Sequence, residues 1–103
     1  MSRVEKLLEM LKESEKDSFL MHALGLEYLK IGELEKALEC FSAVVQGNPD
    51  YVGTYYHLAK LNEQLGRQED AIKVYEKGME VAKRLSDLHS LNELKMAWEE
   101  LTL

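Results

Sequence analysis

The residues from Ser18 to Leu85 are one 34-residue pattern written twice, and this constrains the fold more than any other feature of the chain. Leu24, Gly32, Glu35 and Ala37 recur as Leu58, Gly66, Glu69 and Ala71, each 34 residues later. Conservative pairs keep the same register: Met21 with Tyr55, Gly25 with Ala59, Ile31 with Leu65, Leu38 with Ile72 and Phe41 with Tyr75. A fixed period in this range marks supersecondary units that cannot bury their apolar faces alone and do so by stacking. A unit of this length suits a helix–turn–helix.

The punctuation divides each copy into two helices. The first is expected over about Asp17–Lys30, with Ser14 or Asp17 as its cap and Gly32 where a left-handed residue ends a helix. The second spans about Glu33–Gln46, up to the break Gly47-Asn48-Pro49-Asp50. A third covers about Tyr51–Leu65 and closes at Gly66, and a fourth starts near Arg67. Lys83 stands 34 residues after Pro49, so this last helix is expected to continue to about Leu85. The repeats are therefore placed at residues 18–51 and 52–85.

Helices flank them on both sides. Ser2-Arg3-Val4-Glu5 has the form of a capping box, and Val4, Leu7, Leu8 and Leu11 then follow at i, i+3, i+4 and i+7, giving an amphipathic helix over residues 2–13. Two readings stand for it: a cap on the first repeat, or a dimerisation or membrane-surface helix, the mixed charge of its polar face opposing the membrane. Ser86-Asp87 opens a last helix over residues 87–101, with Leu88, Leu91, Leu94, Trp98 and Leu101 on one side. The 34-residue register would put Asn92, Glu93 and Met96 where the repeat needs Leu, Gly and Tyr, so this helix reads as a C-terminal cap rather than a third repeat. Terminal units of a stack need modified outer faces, and an extra helix at each end answers that need.

Composition narrows the function classes. One hundred and three residues suit one small domain, and 46% hydrophobic residues are enough to build a core. Nineteen acids against thirteen bases give a formal charge of −6, and no basic stripe is present, which argues against nucleic acid. The lone Cys40 precludes an internal disulfide framework and suits a reducing compartment. No apolar run is long enough to span a membrane, and the charged N-terminus is unlike a signal peptide. A cytoplasmic protein is the expectation.

Met21-x-x-Leu24-Gly25-x-x-Tyr28, Gly32, Ala37-x-x-x-Phe41 and Pro49 resemble a tetratricopeptide repeat. Tyr55-x-x-Leu58-Ala59-x-x-Asn62, Gly66 and Ala71-x-x-x-Tyr75 resemble it more loosely, with departures at Asn62, Gly78 and Lys83. The resemblance implies an all-α, right-handed α–α superhelix of two helix pairs between capping helices. Gly25 and Ala59 would sit where the helices of a pair cross closely, with Ala37 and Ala71 facing them.

It also implies a non-enzymatic scaffold that binds a peptide or partner helix on the concave face of each repeat's first helix. The positions that map there are Phe19, His22, Leu26, Leu29 and Lys30, then Gly53, Tyr56, Lys60, Glu63 and Gln64. Some family members clamp a peptide carboxylate with a Lys and an Asn one turn apart on this face. His22 and Leu26, then Tyr56 and Lys60, stand at those positions here, so that clamp is not expected. Phe19, Leu26 and Leu29 make the first half of this face apolar. Either the N-terminal helix or a second protomer covers it, or it is open to an apolar helix. A structural homodimer that uses this apolar face for self-association is thus the alternative to a scaffold.

Other chemistry finds little support in the sequence. His22, His57, His89 and one cysteine lack zinc-site spacing, so no metal is expected. Cys40 has Glu39 beside it and no neighbouring histidine to activate it. No glycine-rich phosphate loop implies a cofactor, and the carboxylates interleave with lysines as on a solvated face. Trp98 reads either as an anchor of the last helix or as a partner-binding residue.

Overall fold

Six α-helices and no strand make up the regular structure of the computed structural model, which describes residues 1–103. They fall into two compact units. Residues Met1–Asn48 hold α1 (Arg3–Glu13), α2 (Ser18–Lys30) and α3 (Leu34–Gly47). Residues Pro49–Leu103 hold α4 (Gly53–Gln64), α5 (Gln68–Arg84) and α6 (Leu88–Thr102). The all-α architecture of packed helix pairs is the fold class that the repeat implied.

In the first unit α2 lies between α1 and α3. Its closest approach to α3 depends on Gly25: a Cβ there would stand 2.5 Å from Cε1 of Phe41. The fully buried Phe41 ring occupies the space that the missing side chain leaves, and Ala37 is buried on the same helix. On the other flank Leu7 and Leu11 of α1 pack with Leu20, Leu24 and Cys40, and Val4, Met21, Ala23 and Tyr28 close around them. Arg3 reaches Glu27 at 3.5 Å across this seam. Leu8 is not in it. The expected stripe included this residue, but it lies roughly 70° round the helix from the centre of Val4, Leu7 and Leu11. It faces outward in a shallow depression with Met1, Glu5 and Lys12.

In the second unit α5 is flanked by α4 and α6, and glycine again sets the spacing. A Cβ at Gly78 would meet Cβ of Tyr55 at 2.7 Å and Cδ1 of Leu94 at 3.0 Å. This departure from the repeat pattern is what admits the last helix. Tyr75, the counterpart of Phe41, is fully buried with Ala71 and Ala59. Asn62, a second departure, is buried but satisfied, donating from Nδ2 to the Leu58 carbonyl at 3.0 Å. Lys83, the third, lies inside α5, where a proline would have broken the helix.

Three turns share one construction. Gly32 and Gly66 adopt φ of +79° and +77°, and the left-handed residue after α5 is Ser86, at +59°. Around each, paired backbone bonds close a Schellman motif: Glu33 N to Tyr28 O, Arg67 N to Asn62 O and Asp87 N to Ala82 O, at 2.9, 2.8 and 2.9 Å. Ser86 therefore ends α5, and Asp87 alone caps α6, accepting from the Ser90 amide at 3.1 Å. Asp17 caps α2 in the same way through Leu20, leaving Ser14 as the C-cap of α1. The capping box of Ser2 and Glu5 is formed.

In the second unit α4 begins at Gly53 rather than at Tyr51, the turn ahead of it being closed by shorter-range bonds from Thr54 N to Tyr51 O and from Tyr55 N to Val52 O, both 3.3 Å. Pro49 and Asp50 are instead held from within the second unit. The Tyr55 hydroxyl donates to the Pro49 carbonyl at 2.6 Å, and Arg84 donates through two nitrogens to the Asp50 carboxylate.

Candidate functional site

On α2 the residues left after packing form an outward stripe. Phe19, Leu26 and Lys30 recur at i, i+7 and i+11, close to one line along the helix. Phe19 is 67% exposed, the most exposed apolar side chain on the helix, and Leu26 is half-buried. Lys30 pairs with Glu27 at 3.2 Å. His22 and Leu29 turn further towards α3 and are half-buried; the His22 ring lies 5.6 Å from that of Phe41, tilted against it. Of the five expected positions, two are thus drawn into packing.

The first helix does not cover Phe19. It packs on the Leu20–Leu24 edge, and between α1 and α2 a crevice of about 270 Å³ remains. Met10, Phe19 and Ala23 line it, with Arg3 and Lys6 at its rim. Leu7, Leu20 and Ala23 at its floor belong to the packing of the unit, whereas Met10 and Phe19 are exposed and stand outside the core.

On α4, Tyr56, Lys60 and Glu63 follow at i, i+4 and i+7 and are all half-buried. The Lys60 ammonium lies 5.8 Å from the centre of the Tyr56 ring and 3.7 Å from Glu63. Glu63 also accepts a short hydrogen bond from the Tyr75 hydroxyl, which ties α4 to α5. Burial first, and then the bond to Glu63, push the Tyr75 phenol far above its ordinary range, so it stays a donor. Gly53 and Gln64 are the two ends of the helix and are exposed.

The sequence reading left out the contribution of α6. Glu93, Met96, Ala97 and Glu100 face Tyr56 and Lys60 across a crevice of about 170 Å³. Met96 is 63% exposed, whereas Leu94 and Ala97 are buried in its place. The spacing i, i+3, i+4, i+7 of these four residues was the signal that marks them as one face. Trp98 is half-buried and donates from Nε1 to Glu76 at 3.3 Å, fastening α6 to α5.

Reactive groups do not converge. No three of the His, Cys, Asp and Glu side chains are grouped to hold a metal ion. Cys40 is buried, and burial, reinforced by the charge of Glu39, raises its pKa to about 11, so the thiolate needed of a nucleophile is scarce at neutral pH. Burial lowers the pKa of His57, against an opposing pull from Glu93. No helix is long and apolar enough to cross a membrane.

Comparison with known proteins agrees with this geometry. A family model described as TPR repeat matches residues 25–66, and one described as tetratricopeptide repeat matches residues 52–84. The solution structure of a tetratricopeptide repeat domain protein from Salinibacter ruber is 44% identical, with a TM-score of 0.81 over 84% of this chain and 87% of that one. This chain belongs to the tetratricopeptide repeat family. A second relative of this tetratricopeptide repeat protein is an uncharacterised protein, MJ0572, of Methanocaldococcus jannaschii. It is 36% identical over 62 residues, 60% of this chain and 72% of the relative. The TPR2B domain of yeast Sti1, in its complex with pHsp70, shares the fold at 14% identity, with a TM-score of 0.88 over 96% of this chain and 79% of that one.

Proposed function

We propose that this tetratricopeptide repeat protein is a non-enzymatic interaction scaffold, which offers the outward faces of α2 and α4 to a peptide or helix of another protein. The observation that carries the reading is Phe19. It is a large apolar side chain, two-thirds exposed, on a helix whose remaining apolar residues are all at least half-buried. With Met10, also exposed, it lines one apolar crevice, and contiguous apolar surface with an aromatic residue in it favours recognition. The yeast domain that shares the fold was solved with pHsp70 bound, which supports a protein partner in kind.

The test is a double substitution, Phe19→Glu with Leu26→Glu, read by solution mass over a dilution series and by capture of partner proteins. A scaffold stays monomeric and folded in both forms, and the variant loses the proteins that the parent retains. A dimer whose mass does not change on dilution, and which the double variant splits, would make the face a self-association surface and refute the scaffold.

A further inference from the structure

The crevice between α4 and α6 carries chemistry of its own. Its centre is Met96, 63% exposed, with Tyr56 opposite and the buried Ala97 beneath. Methionine is flexible and polarisable, and it serves adaptable binding surfaces well. Glu93 stands one turn before Met96 and Glu100 one turn after, both lining the same crevice. The two carboxylates are seven residues apart on one helix face, about 10 Å along the axis.

The cation in this crevice is already engaged: Lys60 is 3.7 Å from Glu63 and lies over the Tyr56 ring. His89, on the preceding turn of α6, stands 3.7 Å from Glu93 on the side away from Met96. The two carboxylates give the rim an acidic character, in keeping with the formal charge of −6. The sign is a local property, because the crevice between α1 and α2 has Lys6 at its rim, beside an Arg3 that is paired with Glu27.

We propose that the α4–α6 crevice receives a helical segment of a partner protein in which an apolar side chain is flanked, one turn on either side, by lysine or arginine. Such a segment sets its apolar residue against Met96 and Tyr56 and its cations against Glu93 and Glu100. The spacing i, i+3 or i+4, i+7 of the occupant then matches that of α6. An acidic segment would meet two like charges at the same places. This assignment rests on the scaffold reading and names the partner's chemistry.

The experiment uses two fluorescein-labelled, alanine-based helical peptides and the full chain. One peptide carries a leucine between two lysines at this spacing, and the other replaces both lysines with glutamate. Fluorescence anisotropy should show the lysine peptide binding at least about tenfold more tightly, with affinity falling as salt rises. Glu93→Gln with Glu100→Gln, and separately Met96→Ser, should each weaken it by about tenfold or more. All three positions are exposed, so the variants should fold as the parent does, which circular dichroism checks.

Equal binding of the two peptides, or of the lysine peptide to parent and variants, overturns the proposal and leaves the scaffold standing. So does binding of neither peptide by a protein that still captures partners through Phe19. Binding of neither peptide, with capture indifferent to Phe19 and Leu26, removes both readings. A dimer that Met96→Ser converts to monomer also overturns the proposal, since a second copy then fills the crevice.

Discussion

Three left-handed turns with two kinds of residue make the stability of this chain testable in both directions. Gly32 and Gly66 have no heavy atom within 4 Å of the place a Cβ would take, so an alanine there meets no clash. Its cost is conformational alone. A left-handed L-residue costs about 1–2 kcal/mol, and glycine's greater freedom in the unfolded chain returns about 0.5–1 of that. Gly32→Ala and Gly66→Ala should each destabilise by about 0.5–1 kcal/mol.

Ser86 already bears that cost, at φ +59° on an exposed turn. Ser86→Gly should therefore stabilise by about the same 0.5–1 kcal/mol, or raise the melting temperature by about 2–5 °C for a chain of this size. Ser86→Ala keeps the strain and should change stability by only a few tenths of a kcal/mol. Urea unfolding followed by far-ultraviolet circular dichroism measures all four, an unchanged slope showing that stability has changed without a change in the surface exposed on unfolding. If Ser86→Gly is neutral or destabilising while Gly66→Ala costs the expected amount, backbone strain at Ser86 is not the controlling quantity and the argument fails.

Two further predictions concern packing and protonation. Gly25→Ala and Gly78→Ala each push a methyl into a filled space, against the Phe41 ring and against Tyr55 respectively. Each should cost about 1–3 kcal/mol in the same unfolding assay, more than the open-turn glycines. Cys40 should resist iodoacetamide at pH 8 in the folded protein and react once urea unfolds it. Because its pKa rises on folding, from 9.0 to about 11, the neutral thiol contributes stability in full below pH 9. That contribution should fade as pH climbs towards 11, which Cys40→Ala would abolish.

The parts of the molecule that repeat were legible because repetition exposes position. Gly32 and Gly66 name their turns, and Phe41 and Tyr75 name their cores, since the same physical need appears twice. Single occurrences were harder. Ser86 does a glycine's work without being one, so Ser86-Asp87 looked like a cap when only Asp87 caps. Leu8 fits an apolar stripe on paper, but its place round the helix turns it away from the side that α1 sets against α2.

The candidate faces divide in the same way. Phe19 and Leu26 lie together as their spacing implied, while His22 and Leu29 are claimed by packing near α3, which depends on where Phe41 lies and not on local spacing. Met96 went unnoticed because it was judged by the repeat's register, where it should have filled a core position. Gly78 admits Leu94 of α6 against α5 instead, and with Leu94 and Ala97 buried Met96 is left facing outward.

The peptide bond from Asn48 to Pro49 is a seam in the mechanical sense. Asn48 is fastened backward, donating to the Ser18 hydroxyl at 3.2 Å, whereas Pro49 and Asp50 are fastened forward to Tyr55 and Arg84. Cutting the chain there severs none of these side-chain ties. The repeat in the sequence runs from Ser18, yet the boundary between the two compact units falls some thirty residues later, in the middle of a turn. For recombination, split reporters or grafting, residues 1–48 and 49–103 are therefore the natural pieces, each keeping the fasteners of its own end.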